Sequence, residues 1–227
     1  MTNKTKLILM RHGKSLWNER NIFTGWVDVP LSEKGVNEAI EAGKDISDIP
    51  IDLIFVSALI RAQATAQLAM LHHHSGKIPI QMHEKGSKEE KWAKITGVKA
   101  KEQTIPTIAA WQLNERMYGD LQGQNKQEMR DQYGDEQVHI WRRSFDVAPP
   151  NGESLKDTAD RVRPYFKENI ITELEKGKNI LISAHGNSLR SIIMFLDSLD
   201  KDQVVKLEVP TGKPIIYEYE KGSFIKQ

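Results

Sequence analysis

Leu7-Ile8-Leu9-Met10-Arg11-His12-Gly13 decides how this chain folds, because a short apolar run ends abruptly on a cation, an imidazole and a glycine. A second stretch, Ile180-Leu181-Ile182-Ser183-Ala184-His185-Gly186-Asn187, repeats the design 173 residues later. A continuous apolar run of that length, bounded by polar residues, reads as a strand buried on both faces of a sheet. Each histidine then leaves the sheet at a strand's C-terminal end, which is where open α/β sheets bind their ligands. Two imidazoles delivered to one crevice beside Arg11, with Gly13 and Gly186 permitting close backbone approach, point to phosphoryl chemistry centred on histidine. A lone histidine of this kind reads as a hydrogen-bonded structural residue; a matched pair argues against that.

Strands and helices alternate outward from these two runs, predicting a three-layer α/β/α domain with a largely parallel central sheet. Ser32 is suited to cap a helix with Val36, Ala39, Ile40 and Gly43 on one face. Asp52–Val56 reads as a strand, and Ser57 leads into a helix with Ile60, Ala64, Leu68 and Leu71 expected inward and Arg61 in its first turn. Leu155, Ala159, Val162 and Phe166 mark a long helix that Pro164 starts, kinks or splits. The strand through Ile182 follows, then a helix with Leu189, Ile192, Ile193 and Leu196 inward, then an expected final edge strand over Pro214–Tyr219. The expectation is one domain over residues 1–227, with a polar insertion around 72–104, rich in Lys, Glu, Gly and Gln.

Composition narrows the function classes. Lys plus Arg at 32 against Asp plus Glu at 31 gives a formal net charge of +1, so no global field draws in nucleic acid or membrane, and any anion site is local. With no cysteine there is no disulfide, thiolate metal site or cysteine nucleophile. No apolar run approaches the roughly 20 residues that span a bilayer, and the N-terminal apolar stretch is too short for a signal-peptide core. A soluble cytoplasmic protein is expected. The triplet His72-His73-His74 reads as a solvated run, since consecutive residues do not share a helix face. Trp17, Trp26, Trp111 and Trp141 lie among acids and turn residues, and packing accounts for them better than base stacking.

The run Arg11 to Asn18, with Phe23-Thr24-Gly25-Trp26, Leu31 to Gly35, Asn114-Glu115-Arg116-Met117-Tyr118-Gly119, Trp141-Arg142-Arg143 and His185-Gly186-Asn187, resembles the 2,3-bisphosphoglycerate-dependent phosphoglycerate mutases of the histidine phosphatase superfamily. The match runs from about Lys6 to about Tyr219. Arg-His-Gly alone would specify only the superfamily; the blocks around Glu115 and Arg142 narrow it to this branch. The resemblance implies a phosphoglycerate mutase-like fold and interconversion of 3-phosphoglycerate and 2-phosphoglycerate, a step of glycolysis and gluconeogenesis. It further implies that His12 carries the phosphoryl group, primed by 2,3-bisphosphoglycerate, with its other ring nitrogen held by a backbone carbonyl, and it leaves room for a homo-oligomer. The chain departs from the pattern in the 72–104 insertion, in a nearly absent segment after Pro149-Pro150, in a short tail beyond Tyr219, in Lys14 where an acid is common and in Met117 where histidine is frequent.

An imidazole with an ordinary pKa of about 6.5 is substantially neutral at cellular pH, as a nucleophile must be. His185 is assigned as a protonated donor to the phosphoryl oxygens. Arg11 and Arg61 fit a clamp on the transferring group, whose charge is met better by fixed cations than by any covalent device. A surface arginine would be the default for Arg61 alone, and the matching block reverses that. Glu115 is the candidate acid/base for the hydroxyl that gains or loses the phosphoryl group; arginines lower its pKa while desolvation and bound phosphate raise it. Arg116, Tyr118, Lys126, Arg142 and Arg143, with Ser15, Asn18, Thr24, Gly25, Gly186 and Asn187, are the expected substrate contacts. No metal is required. The alternatives are a histidine phosphatase acting on small phosphomonoesters, in which water takes the phosphoryl group, and a silent phosphate-binding protein.

Overall fold

The computed structural model describes residues 4–227, so the first three residues of the expected 1–227 domain lie outside the described residues. Leu7 to Met10 and Ile180 to Ile182 are fully buried because β1 (Thr5–Arg11) and β5 (Ile180–Ala184) lie side by side, in parallel, inside a seven-stranded sheet. The sheet order is β3-β4-β2-β5-β1-β6-β7, with β2 at Leu53–Val56, β3 at Ile78–Gln81, β4 at Thr104–Ala109, β6 at Pro214–Glu220 and β7 at Ser223–Lys226. From β3 to β1 every neighbour is parallel; β6 and β7 complete the sheet antiparallel.

Alternation along each strand divides the apolar side chains between two cores. Leu7, Leu9, Phe55, Ile180 and Ile182 meet Val162 and Phe166 from the helix α8 region and Leu189, Ile192 and Ile193 of α10 (Gly186–Leu196), where α8 spans Leu155–Tyr165. Ile8, Met10, Ile54 and Leu181 meet Ala42, Ala66, Ala69 and Met70, contributed by α2 (Glu33–Asp45) and α3 (Ile60–Leu71) on the other face. A smaller apolar cluster of Phe23, Leu121, Met129, Val138 and Trp141 underlies α6 (Lys126–Tyr133) and α7 (Asp135–Arg143). The short helices are α1 (Leu16–Glu19), α4 (Lys88–Trp92), α5 (Val98–Glu102), α9 (Thr172–Glu175) and α11 (Lys201–Val204).

Ser32 caps α2, its hydroxyl accepting from the Gly35 amide, and the buried face is Gly35, Ala39, Ala42 and Gly43. The face expected for α3 is displaced: Ile60 and Leu71 are exposed, while Arg61, Ala62, Thr65, Ala66, Ala69 and Met70 are buried. Backbone proximity explains this, since a Cβ at Gly43 would lie 2.2 Å from the Ala69 carbonyl oxygen, and only small residues admit such packing between α2 and α3. Beyond Pro164 the backbone widens into a π-helical turn over Phe166–Ile171 and then continues as α9, so the proline neither starts nor stops the element.

The segment 72–104 is not wholly an exposed excursion. Its Ile78–Gln81 stretch extends the sheet as β3, paired with β4, and only α4 and α5 between them are peripheral. Pro79 and Pro106 mask both strands in the sequence, yet β3 is an edge strand, which tolerates proline and polarity, and Pro106 lies in the part of β4 that pairs with β3 but not with β2. Pro214–Glu220, expected at an edge, is instead interior, paired with β1 and β7, and the tail beyond Tyr219 supplies the edge strand β7. His73 is buried, with Nε2 on the Ile49 carbonyl oxygen and Nδ1 on Ser75 Oγ, whereas His72 and His74 are exposed. The middle of the triplet is therefore a packing residue, not a solvated one. No helix among the described residues is long and apolar enough to cross a membrane.

Candidate active site

The parallel register of β1 and β5 sets Arg11 opposite Ala184, so His12 and His185 emerge from adjacent strand ends. Their ring centroids lie 4.9 Å apart. The His12 amide donates to the Ala184 carbonyl at 3.0 Å, and Nδ1 of its ring lies 2.6 Å from the Gly13 carbonyl oxygen. A carbonyl only accepts, so the ring proton sits on Nδ1 and the lone pair on Nε2. Burial first, then Arg61 and Arg11, hold the His12 pKa well below the ordinary imidazole value despite that carbonyl. The ring is thus a neutral base at pH 7.

Arg61 is almost wholly buried in the first turn of α3, donating to the carbonyls of Val27 and Gly25 at 2.9 and 2.7 Å. Burial pushes its pKa down to about 10, offset by Glu115 and Asp28, which still leaves the guanidinium charged. Thr65 joins this helix to the His12 loop, accepting from the Gly13 amide and donating to the Arg61 carbonyl. Arg11 reaches the Val209 carbonyl at 2.7 Å. The Arg11 guanidinium packs over Gly186, where a Cβ would meet its Cζ at 3.4 Å, an ordinary contact distance.

Glu115 is buried, not the surface residue that an isolated Asn-Glu-Arg would suggest. Its Oε1 accepts from the Arg116 amide at 2.7 Å and from the Asn187 amide and Nδ2 at 3.2 and 2.8 Å. Burial opposes its ionisation, but Arg11, these donors and Arg61 prevail and hold its pKa below the ordinary carboxylate value. The resting group is a carboxylate. His185, expected to be protonated, is held neutral by burial and by Arg61, His12 and Arg11, which lower its pKa well below the ordinary value. Cations needed to clamp an anion also repel a proton from the neighbouring ring.

Arg11, His12, Arg61 and Glu115 border a cavity of about 260 Å³; His185 is not part of its lining and meets the site through the His12 ring, 4.9 Å away. Asn18, Thr24, Gly25, Tyr118, Lys126, Arg142, Arg143, Gly186 and Asn187 line it together with Arg11, His12, Arg61 and Glu115. Six cationic side chains, Arg11, Arg61, Lys126, Arg142, Arg143 and Arg190, face the carboxylates of Glu115 and Glu208. Their mutual repulsion and burial are large enough to push the Lys126 pKa down to about 8, desolvation acting first and Arg142 next. Among the described residues, every buried side-chain polar atom without a partner belongs to this region: Arg11 Nε, Thr24 Oγ1, Arg61 Nε, Arg116 Nε, Arg116 NH1 and His185 Nδ1. Buried donors left unpaired are costly, so this concentration marks a site built for an anion. The described residues contain no group of three or more His, Cys, Asp and Glu side chains arranged to hold a metal ion.

Besides His185, two expected contacts do not reach the cavity wall. Ser15 is buried as the N-cap of α1, exchanging hydrogen bonds with Asn18, and it acts by fixing Asn18. Arg116 lies behind the wall, over the Tyr118 ring at 4.7 Å, and donates to Tyr118 Oη and the Arg142 carbonyl. Four lining residues were not expected, the apolar Ile22 and Phe23 and the charged Arg190 and Glu208. Arg190 was legible as the residue three positions beyond Asn187 on one helix face; Glu208, on the loop after α11, carried no sequence signal.

An α/β sheet delivering two histidines and two arginines to the ends of adjacent parallel strands defines the histidine phosphatase superfamily (branch 1), whose model matches residues 7–104 and 92–227. Within it, the chain is 64% identical to a 2,3-bisphosphoglycerate-dependent phosphoglycerate mutase of Protochlamydia amoebophila over 98% of each chain. It is 58% identical to a 2,3-bisphosphoglycerate-dependent phosphoglycerate mutase of Arabidopsis thaliana, over 100% of this chain and 68% of that one. The chain belongs to the family of 2,3-bisphosphoglycerate-dependent phosphoglycerate mutases. A solved phosphoglycerate mutase structure from Bacillus anthracis shares the fold with a TM-score of 0.73 at 23% identity, over 100% of this chain and 92% of that one.

Proposed function

We propose that this protein interconverts 3-phosphoglycerate and 2-phosphoglycerate in glycolysis and gluconeogenesis, in the cytoplasm, by relaying a phosphoryl group through His12. The observation that carries this reading is the cluster of unpartnered buried donors around a cationic cavity that also holds a neutral imidazole and an ionised carboxylate. When bound, 2,3-bisphosphoglycerate supplies the phosphoryl group that primes Nε2 of His12. The free Nε donors of Arg11 and Arg61, both on the cavity wall, fit so highly charged an acid.

Glu115 starts as the base. It takes the proton of the acceptor hydroxyl as that oxygen attacks the phosphorus on His12, the O–P bond forming while the N–P bond breaks and its electron pair returns to Nε2. In the return transfer Nε2 attacks, the other ester O–P bond breaks, and Glu115 gives its proton to the departing oxygen. Arg11, Arg61 and an N–H of His185 meet the charge on the equatorial oxygens, a task that metal ions perform in other phosphoryl-transfer sites, so none is needed. Lys126, Arg142 and Arg143 hold the remote anionic end of the acid. A coupled enolase assay tests the reading: 2-phosphoglycerate should form from 3-phosphoglycerate, faster with 2,3-bisphosphoglycerate and unaffected by chelators. His12→Ala should lose both turnover and the acid-labile phosphoenzyme. Release of inorganic phosphate without 2-phosphoglycerate would make the protein a phosphatase instead.

A further inference from the structure

Ser57 lies at the C-terminal end of β2, next to β5, and the phosphoryl relay makes no use of it. It is fully buried, and its Oγ lies 2.7 Å from Nε2 of the equally buried His185. The same oxygen accepts from the Leu59 amide at 3.2 Å. The opposite ring nitrogen, Nδ1, has no partner of hydrogen-bond geometry, although the Ser188 amide in the first turn of α10 approaches the ring.

We propose that Ser57 is a positioning residue that donates its hydroxyl proton to Nε2 of His185 and so locks the imidazole in the Nδ1–H tautomer, with the donor turned away from Ser57. Hydrogen-bond accounting selects this arrangement. With the Leu59 amide already donating to Oγ, a ring proton on Nε2 would make the hydroxyl accept twice. Its own hydrogen would then have no acceptor among the described residues, while Nδ1 would remain an unpaired lone pair. Reversing the bond satisfies Ser57 completely and leaves a single unpaired group, an N–H on Nδ1. Such a group is costly unless something accepts from it. The ring centroid stands 4.9 Å from that of His12, and the charges of Arg61 and Arg11 act on both rings. A phosphoryl oxygen on His12 would complete that valence.

His185 can therefore act as a hydrogen-bond donor while neutral, and needs no proton from solvent inside a cluster of arginines. The cations that suppress its protonation do not cost the site a donor, because Ser57 fixes which nitrogen carries the one proton available. The catalytic consequence rests on the phosphohistidine reading above, but the tautomer does not, so the two can fail separately.

The test is ¹⁵N NMR of the histidine side chains in the full-length protein near pH 7.5, with the His185 signals assigned by their loss in His185→Gln. His185 should show a protonated Nδ1 and an unprotonated Nε2 in the wild-type protein. In Ser57→Ala the ring should shift toward the Nε2–H form, and Ser57→Thr, which keeps the hydroxyl, should return it. With 3-phosphoglycerate, Ser57→Ala should lower kcat about 10- to 100-fold with KM changed little, the range met when the orienting partner of a metal-bound histidine is removed. A protonated Nε2 in the wild-type spectrum overturns the proposal without any variant being required. Retention of the Nδ1–H form in a folded Ser57→Ala overturns the lock. Absence of mutase turnover in wild type, with the expected tautomer present, would instead refute the activity.

Discussion

Two imidazoles buried beside arginines should make this protein lose stability on mild acidification, well above the range where carboxylates titrate. His12 and His185 are neutral in the folded state with pKa values well below the ordinary one, chiefly through burial, whereas in the unfolded chain each titrates near 6.5. Between those values the unfolded chain binds more protons, so stability falls as pH falls; above about pH 6.5 both states are neutral and the effect vanishes. With neither ring protonated in the fold above pH 5.5, lowering pH from 7.5 to 5.5 costs RT ln of about 10 for each ring. That is about 1.4 kcal/mol per histidine and about 2.7 kcal/mol for the pair, a large share of a typical stability of about 5–15 kcal/mol. Urea unfolding followed by circular dichroism at both pH values would measure it. The informative quantity is a difference from wild type: His12→Asn and His185→Asn should each lose about 1.4 kcal/mol less than wild type over the same interval. Equal losses in wild type and both variants would mean that these rings take up protons in the fold, and the electrostatic account of a neutral nucleophile would be wrong.

Glu115→Gln should keep the amide and Asn187 contacts in part but remove proton exchange. Phosphorylation by 2,3-bisphosphoglycerate in rapid-quench experiments should slow on the order of 10²–10⁴-fold, with equilibrium binding of the bisphosphate retained; a wild-type rate would remove Glu115 from the acid/base role. Glu208, which is exposed and sits 2.9 Å from Arg143 and 3.7 Å from Arg190, competes with the incoming anion for those cations. An exposed pair is worth roughly 0.2–1 kcal/mol, so Glu208→Gln should lower KM for 3-phosphoglycerate by about 1.4- to 5-fold at low salt, less at high salt, and an unchanged KM would contradict this. Gly13→Ala should be destabilising by about 1–3 kcal/mol or more, because its Cβ would lie 2.1 Å from the Gly35 carbonyl oxygen; a variant whose urea midpoint matched wild type would show that β1 and α2 can separate freely.

What the sequence determined by itself was whatever depends on local pattern. The apolar runs at Leu7–Met10 and Ile180–Ile182 had to be doubly buried strands, and Ser32 had to start a helix, because periodicity and capping are properties of neighbouring residues. The motifs following those strands, with the blocks at Glu115 and Arg142, were enough to point to the family, since chemistry-bearing residues keep their local order. Tertiary packing decided the rest. It turned the arginine-bearing face of α3 inward, because Gly43 brings α2 against Ala69. It recruited Ile78–Gln81 and the tail beyond Tyr219 as strands, because a sheet edge supplies hydrogen-bond partners that no local signal announces. Likewise, it made His185 neutral and gave it Ser57 as a partner across 128 residues of chain. Protonation states follow from burial and from charges gathered in space, and a residue's sequence neighbours contain neither.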